Sequence, residues 1–389
     1  MQIGVDKFSG KQLRDAIEFR MISQKKLASE IEVTPSNITK YLKGTLKPSP
    51  TVFEKIALAL QFPKEFFLSS FVESDSDIFN QKQAPELWRS LKSTTKRARS
   101  RGKVILKWQI QIYHYFATFF DYPQFTHPEI SVPDTFNEID FDFIDDYCLK
   151  LREAWGLGNK PIGNLIRIIE RNGVCVCRVN LENKNQDAVS FWDTGTPFVL
   201  LNSSVTSSAR LRFNVAHELG HILLHRSVSF EDLEDHARFD EIEEQAHYFA
   251  TSLLLPESPL SRDFWAPTLK CIESIKAKWN VSMQAIMRRS LELNLLTSAQ
   301  FTYLNIALSR KGWRTKEPMD DITPIEIPRL FPQSLERLAS DYSMKPSDIS
   351  STLSLPVSVA ADICATDISY FVDTISPTDE SIIPFHPQK

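Results

Sequence analysis

The chain has 389 residues, enough for two or three domains. It is 42% hydrophobic and 24% charged with only 11 glycines, an ordinary globular composition that excludes collagen-like and low-complexity classes. The net charge of −4 is unevenly spread, because residues 1–60 carry ten Lys/Arg against six Asp/Glu and Arg89 to Lys107 carry eight basic residues and no acidic one.

A basic front on an acidic rear is the pattern of a nucleic-acid contact at one end, although charge runs are also ordinary solvated helix faces. The opening residues lack a basic-then-apolar signal pattern, and no apolar run reaches about 18 residues. A cytoplasmic protein without a membrane segment is therefore expected. The five cysteines, Cys148, Cys175, Cys177, Cys271 and Cys364, show no CxxC spacing. Cys175 and Cys177 alternate within GVCVCRV and read as one face of a buried strand rather than a redox or metal pair.

Residues 8–70 read as a string of short helices. Leu13/Ile17, Leu27/Ile31, Ile38/Leu42 and Ile56/Leu60 recur at helical spacing. Turn chemistry separates them: Ser23, then Val33-Thr34-Pro35, then Gly44, then Lys47-Pro48-Ser49-Pro50. A polar linker is expected over 71–83 and a helical linking region over 84–135, basic first and aromatic later. Residues 140–320 change texture. A helix from Phe143 to Trp155 and another from Ile162 to Glu170 precede three β-like runs, VCVCRV, AVSFW and PFVLLN. A helix carrying His217-Glu218-Leu219-Gly220-His221 follows, then an acidic stretch and a helix that includes Glu243 to Leu254. Helices around a small sheet suggest an α+β unit. Residues 321–389 read as a mixed appendage ending in a disordered tip.

Within the front region, Gln24 to Ile31 and Pro35 to Leu42 form a helix-turn-helix, the second helix offering its N-terminus to the major groove. Pro35 suits a first helical turn, where its missing N–H has no partner to lose. Ser36, Asn37 and Lys40 are expected to face base edges while Ile38 and Leu42 face the core. Gln24, Lys43 and Lys47 are placed to hold phosphates and set register. The stretch SQKKLASEIEVTPSNITKYLKGTLKPSP, followed by IALALQFPKEFFL, resembles the Xre/Cro family of regulators over about 60 residues. That resemblance implies binding to a double-stranded DNA operator, commonly as a homodimer. A module that only mediates protein contacts is the alternative.

In the rear region, His217 and His221 stand four apart on one helix face, close enough for both imidazoles to hold a single ion. Glu218 points beside that face, where it can take a proton from water and return it to a leaving amine. Gly220 keeps the helix slim where another segment approaches. A catalytic zinc commonly has three protein ligands and a water, and the acidic helix supplies a third candidate in Glu243. His247, four residues on, shares its face as a hydrogen-bonding partner behind the ligands. Glu244 is the alternative if the register slips by one. His225 is a weaker candidate, because the helix rise carries it about 6 Å past His221. A solvated helix without metal is the bland reading.

ARLRFNVAHELGHILLH followed by EEQAHYFATSLLLP resembles the ImmA/IrrE family of metallopeptidases. The likeness extends through LREAWGLGNKPIGNLIRIIERNGV, IKAKWNVSMQAIMRRS and GWRTKEP, covering roughly 140–320. It implies a zincin-like domain with His217, His221 and Glu243 as ligands of Zn2+, or of Mn2+, and Glu218 as general base. The chain departs from the family at His247, where Asn or Asp is usual, so His247 is open as a supporting residue, a competing ligand or incidental. The fold expected is multidomain: an all-α helix-turn-helix domain followed by an α+β metallopeptidase domain. Two functions follow. One is a DNA-binding regulator that cleaves a repressor-like partner or itself. The other is a non-proteolytic sensor or antitoxin-like regulator that uses the peptidase fold to bind a ligand or a toxin.

Overall fold

The computed structural model describes residues 4–68, 95–133, 139–183 and 187–372. The expected linker at 71–83, the first part of the 84–135 region and the C-terminal tip lie outside these residues.

The front region consists of helices α1 (Gly10–Phe19), α2 (Gln24–Glu30), α3 (Pro35–Leu42) and α4 (Pro50–Leu60), closed by a short 3-10 turn at Lys64–Phe67. Each of the four helices starts where the side chain of Ser9, Ser23, Thr34 or Ser49 accepts an otherwise unpaired backbone N–H. Pro35 and Pro50 occupy first-turn positions, as a proline can without cost. Gly44 takes φ +70° just beyond α3 and ends it. Ile38 is fully buried, as expected, but Tyr41 rather than Leu42 completes the inner face of α3, with Leu42 only partly buried.

Helix α5 (Lys96–Ala117) is the main departure from the expected organisation. Much of this 22-residue helix is buried. Trp108 lies 2% exposed against Phe19, Phe62 and Phe66 of the front region. Two members of the basic run spend their charge inward. Arg101 sits 4.1 Å over the Phe19 ring and donates to the Phe19 carbonyl, and Lys107 pairs with the buried Asp15 at 2.6 Å. On its other side, Gln109 donates to the carbonyl of Cys175 at 3.0 Å.

The rear region begins with α6 (Phe141–Ala154) and α7 (Leu165–Arg171). Three strands follow: β1 (Cys175–Val179), β2 (Ala188–Asp193) and β3 (Thr196–Asn202). The order is β1-β3-β2, with β1 parallel and β2 antiparallel to β3. Thr194 and Gly195, both at positive φ, make the two-residue β2–β3 turn whose twist matches its strands. The period of two sends Cys175, Cys177, Val189 and Phe191 to one face and Val176, Ala188 and Val199 to the other.

The sheet therefore divides two cores. One lies against α5, the front helices and the C-terminal helices α15 (Leu330–Tyr342), α16 (Pro346–Leu353) and α17 (Val357–Ile363). The other lies under α8 (Ser208–Leu224), α10 (His236–Leu254), α12 (Leu269–Trp279), α13 (Met283–Glu292) and α14 (Ser298–Arg310). Short helices α9 (Phe230–Glu234) and α11 (Glu257–Asp263) flank α10. All five cysteines are buried and free, and Cys175 and Cys177 are ordinary strand residues. Among the described residues no helix is long and apolar enough to cross a membrane.

Candidate metal centre and DNA-facing helix

Two long helices build the centre. Helix α8 starts on the Ser207 cap and runs against the sheet, and α10 lies along it. Gly220 is what lets them approach. A Cβ there would stand 3.0 Å from the Phe249 ring of α10, tighter than packed side chains tolerate without displacement. The contact brings Glu243, one and a half turns before Phe249, level with the α8 histidines.

His217 Nε2 and His221 Nε2 stand 2.9 Å apart. The Glu243 carboxylate is 3.4 Å from each, one oxygen to each ring. Three ligand atoms around a tetrahedral zinc, each about 2.0–2.1 Å from it, stand roughly 3.3 Å from one another. These separations are of the same order, and the donors, two imidazoles and a carboxylate whose oxygens face one ring each, suit Zn2+ or Mn2+. Burial pushes the Glu243 carboxyl up, but the charge of His221 and the hydrogen bonds of His217 and His221 outweigh it and hold the group well below the usual carboxylate range. Glu244, the alternative, is exposed and turned to Arg288 at 3.3 Å.

Glu218 is 3% exposed and reaches the sheet. Its carboxylate accepts the Ser190 hydroxyl at 2.5 Å. The strand period puts Ser190 on the face of β2 that looks at α8, between Val189 and Phe191, which look away.

His247 sits at the exposed rim. Its Nδ1 donates to the Glu243 backbone carbonyl at 2.7 Å, one turn back, and not to the carboxylate. Its ring stands edge-on to His217, centroids 4.5 Å apart, and its ligand atom lies within 4.8 Å of those of His217 and Glu243. Packing against these neighbours, and then the charge of His217, push its imidazole down.

His225 lies behind His221. Its Nδ1 is 2.8 Å from His221 Nδ1, and its Nε2 is 2.9 Å from Gln245 Oε1. The Gln245 amide nitrogen donates to the carbonyl of Ile139 at 2.9 Å. With the amide oxygen accepting, His225 places its hydrogen on Nε2, so a neutral His225 accepts on Nδ1. A metal-bound His221 would then donate from Nδ1 and turn its Nε2 lone pair to the ion. Ser190 and Gln245 were not singled out in the sequence, and His225 was weighed only as a ligand.

At the other end, Ser36 and Lys40 of α3 are exposed, Asn37 is half-exposed, and Lys43 follows at the exposed C-terminus. Gln24, at the exposed start of α2, accepts the hydroxyl of Thr39 at 3.3 Å and so ties the two helices. Lys47 is exposed and pairs with Asp6 at 2.7 Å.

Residues 13–67 match the family model described as helix-turn-helix, and residues 169–291 match that of the IrrE N-terminal-like domain, a peptidase family. The chain thus carries the two matches one after the other. No curated protein matches it. The helix-turn-helix model spans α2 and α3 whole. The IrrE-like model runs from the end of α7 through α13, so it takes in the sheet, His217, Glu218, His221 and Glu243. An all-α DNA-binding fold thus stands before an α+β peptidase-family domain, the fold class expected from the sequence.

Proposed function

We propose that this chain is a regulator that binds operator DNA through α3 and cleaves a regulatory protein, or itself, at a metal centre held by His217, His221 and Glu243. The observation that carries this reading is a pair of imidazole nitrogens 2.9 Å apart, each 3.4 Å from its own oxygen of the Glu243 carboxylate, with the buried Glu218 next in sequence to His217. The chemistry supplied by a bound Zn2+ or Mn2+ is Lewis acidity, which polarises a scissile carbonyl and makes water nucleophilic at neutral pH.

The chain's own residues do the rest. Glu218 takes the proton from the attacking water and returns it to the leaving amine. Ser190, by donating to Glu218, fixes the rotamer of that carboxylate. His225 and Gln245 hold His221 with its Nε2 lone pair facing inward. His247 closes the rim beside Glu243 and supports the helix turn that presents it. On the DNA side, Ser36, Asn37 and Lys40 read bases, and Gln24, Lys43 and Lys47 contact phosphates. The protein substrate is a repressor-like regulator or the chain itself.

Glu218→Gln is the discriminating experiment. The substitution is nearly isosteric and keeps an acceptor for Ser190, so metal content, fold and DNA binding should persist. Cleavage of the protein substrate, or of the chain itself, should fall at least about 100-fold, the low end of general-base contributions. In the cell the controlled promoter should stay locked uninduced. Parent-like induction by a chain that has lost peptidase activity would favour the sensor or antitoxin reading instead.

A further inference from the structure

Away from the metal centre, a cleft of about 420 Å³ opens where three separate segments meet. One wall is the chain just beyond α5, with Phe120 and Tyr122. Another is α7, with Arg167 and Arg171. The third is the start of α15, with Arg329 and Arg337. Four guanidinium groups therefore line one cleft, against Asp121 and Glu170 as its acidic members.

Such a concentration is costly unless something answers it. Arg167 and Arg171 stand four apart on a single short helix, a like-charge spacing that destabilises a helix. Both are exposed, and neither closes an ion pair among the described residues. Arg329 and Arg337 are held in place by Glu336 at 3.0 Å and Asp341 at 2.9 Å. Glu170 answers that charge only in part, through Arg167 and Arg329. It is buried, and its carboxylate is committed to the backbone N–H groups of Arg329 and Leu330 at 3.0–3.1 Å. The apolar wall is equally fixed. Arg337 lies 5.0 Å over the Phe120 ring, and Tyr122 hydrogen-bonds Ser334 at 2.6 Å.

We propose that this cleft is a binding site for a small organic anion, a phosphate or carboxylate on a flat apolar body. Arginine forks hold such anions through paired N–H···O bonds that lysine cannot reproduce. The volume lies within the range of small-molecule sites, about 300–1,000 Å³. Phe120 and Tyr122 form the apolar side of the cleft against which the body of the ligand lies, and the exposed guanidiniums of α7 take its head.

The position gives the site a consequence. Its walls come from the segment that leaves α5, from the edge of the peptidase-family domain and from the C-terminal helices. An occupant ties the three together, so it acts as an effector of both ends of the chain and not as a substrate of the metal centre.

The test uses the full chain and three probes: AMP, 4-hydroxybenzoate and inorganic phosphate. Binding is measured by titration calorimetry and by the shift in thermal unfolding, for the parent, Arg167→Ala/Arg171→Ala and the control Arg310→Ala/Arg314→Ala. AMP or 4-hydroxybenzoate should bind at least tenfold more tightly than inorganic phosphate, and whichever wins identifies the head group. The Arg167/Arg171 variant should lose at least tenfold in affinity, and the control should bind like the parent. The proposal fails if no probe binds, if inorganic phosphate binds as tightly as the larger anions, or if both variants lose affinity alike. None of these readings depends on peptidase activity, so the cleft and the metal centre stand or fall separately.

Discussion

Replacing His225 by Phe isolates the hydrogen-bond chain behind the metal centre. Phe keeps the ring volume in a site that is fully buried but removes the acceptor of His221 and the donor to Gln245. His221 is itself 2% exposed, so its Nδ1–H then has no water to turn to. An unsatisfied buried donor costs about 1–3 kcal/mol. The ring can escape that cost by moving its hydrogen to Nε2, but Nε2 is the atom that faces His217 and Glu243, and a protonated nitrogen cannot bind a metal. Either way the penalty falls on the metal-bound form. At about 1.4 kcal/mol per tenfold, the expected loss is about 5- to 150-fold in metal affinity, which brackets the 10- to 100-fold typical of residues supporting ligand histidines. The assay is competition for Zn2+ against a chromophoric chelator, with circular dichroism and DNA binding as checks on the fold. His225→Gln restores an acceptor and should recover part of the loss. A folded His225→Phe chain with parental affinity would refute the tautomer argument.

Other outcomes follow from the same structure. Purified parent chain should carry about one zinc, and His221→Ala should lose most of it by elemental analysis; full retention would discard the ligand set. Lys40→Ala should relax base preference, whereas Lys43→Ala should weaken binding to every sequence and lower the salt slope by about one; a fragment from residue 71 onward that still shifts operator DNA would remove the assignment. Burial pushes the Glu170 carboxyl from its ordinary 4.5 up to about 7, against the pull of the Arg329 and Leu330 backbone N–H groups. An acid raised in this way binds more protons folded than unfolded, so its contribution is present at low pH and is lost as pH rises from about 4.5 to about 7. The loss is at most roughly 3 kcal/mol. Glu170→Gln should flatten that fall in urea unfolding at pH 5 and pH 8, and an unchanged pH profile would show that the carboxyl titrates normally.

Much of this was legible because its signals are local. Ser23, Thr34 and Ser49 cap the helices they precede, and Pro35 marks the first turn of α3, so the helix-turn-helix could be read to within a residue. HELGH is legible for the same reason, since helical periodicity alone brings two histidines together. Gly220 was legible as a close approach, though not which ring it meets. What failed to show was long-range. Ser190 is one serine in an apolar strand, and only the register of β2 against α8 reveals that it meets Glu218. Gln245 looks like a solvated residue of an acidic helix until His225 and the Ile139 carbonyl are placed around it. Tyr41 replaced Leu42 on the inner face of α3 because Phe8, which precedes α1, offers an aromatic edge at 6.4 Å, a contact with no periodic signature.

The expectation for α5 fell short for an instructive reason. The basic run was weighed as a nucleic-acid contact or a solvated helix face, yet Arg101 and Lys107 turn inward because aromatic and acidic partners await them on α1. Their stems and charges join the front helices to the rest of the molecule, and Trp108 fills the joint between Phe19, Phe62 and Phe66. Removing a buried tryptophan of this kind costs about 3–5 kcal/mol, enough to matter to a domain as small as the front helices. The helix-turn-helix is therefore not a free module on a tether. It shares a continuous core with α5, one face of the sheet and the C-terminal helices, while the other face of that same three-stranded sheet carries Ser190 to Glu218. A shift of β2 that moves Phe191 against the first core must also move Ser190 against the second, because successive residues of one strand cannot move independently.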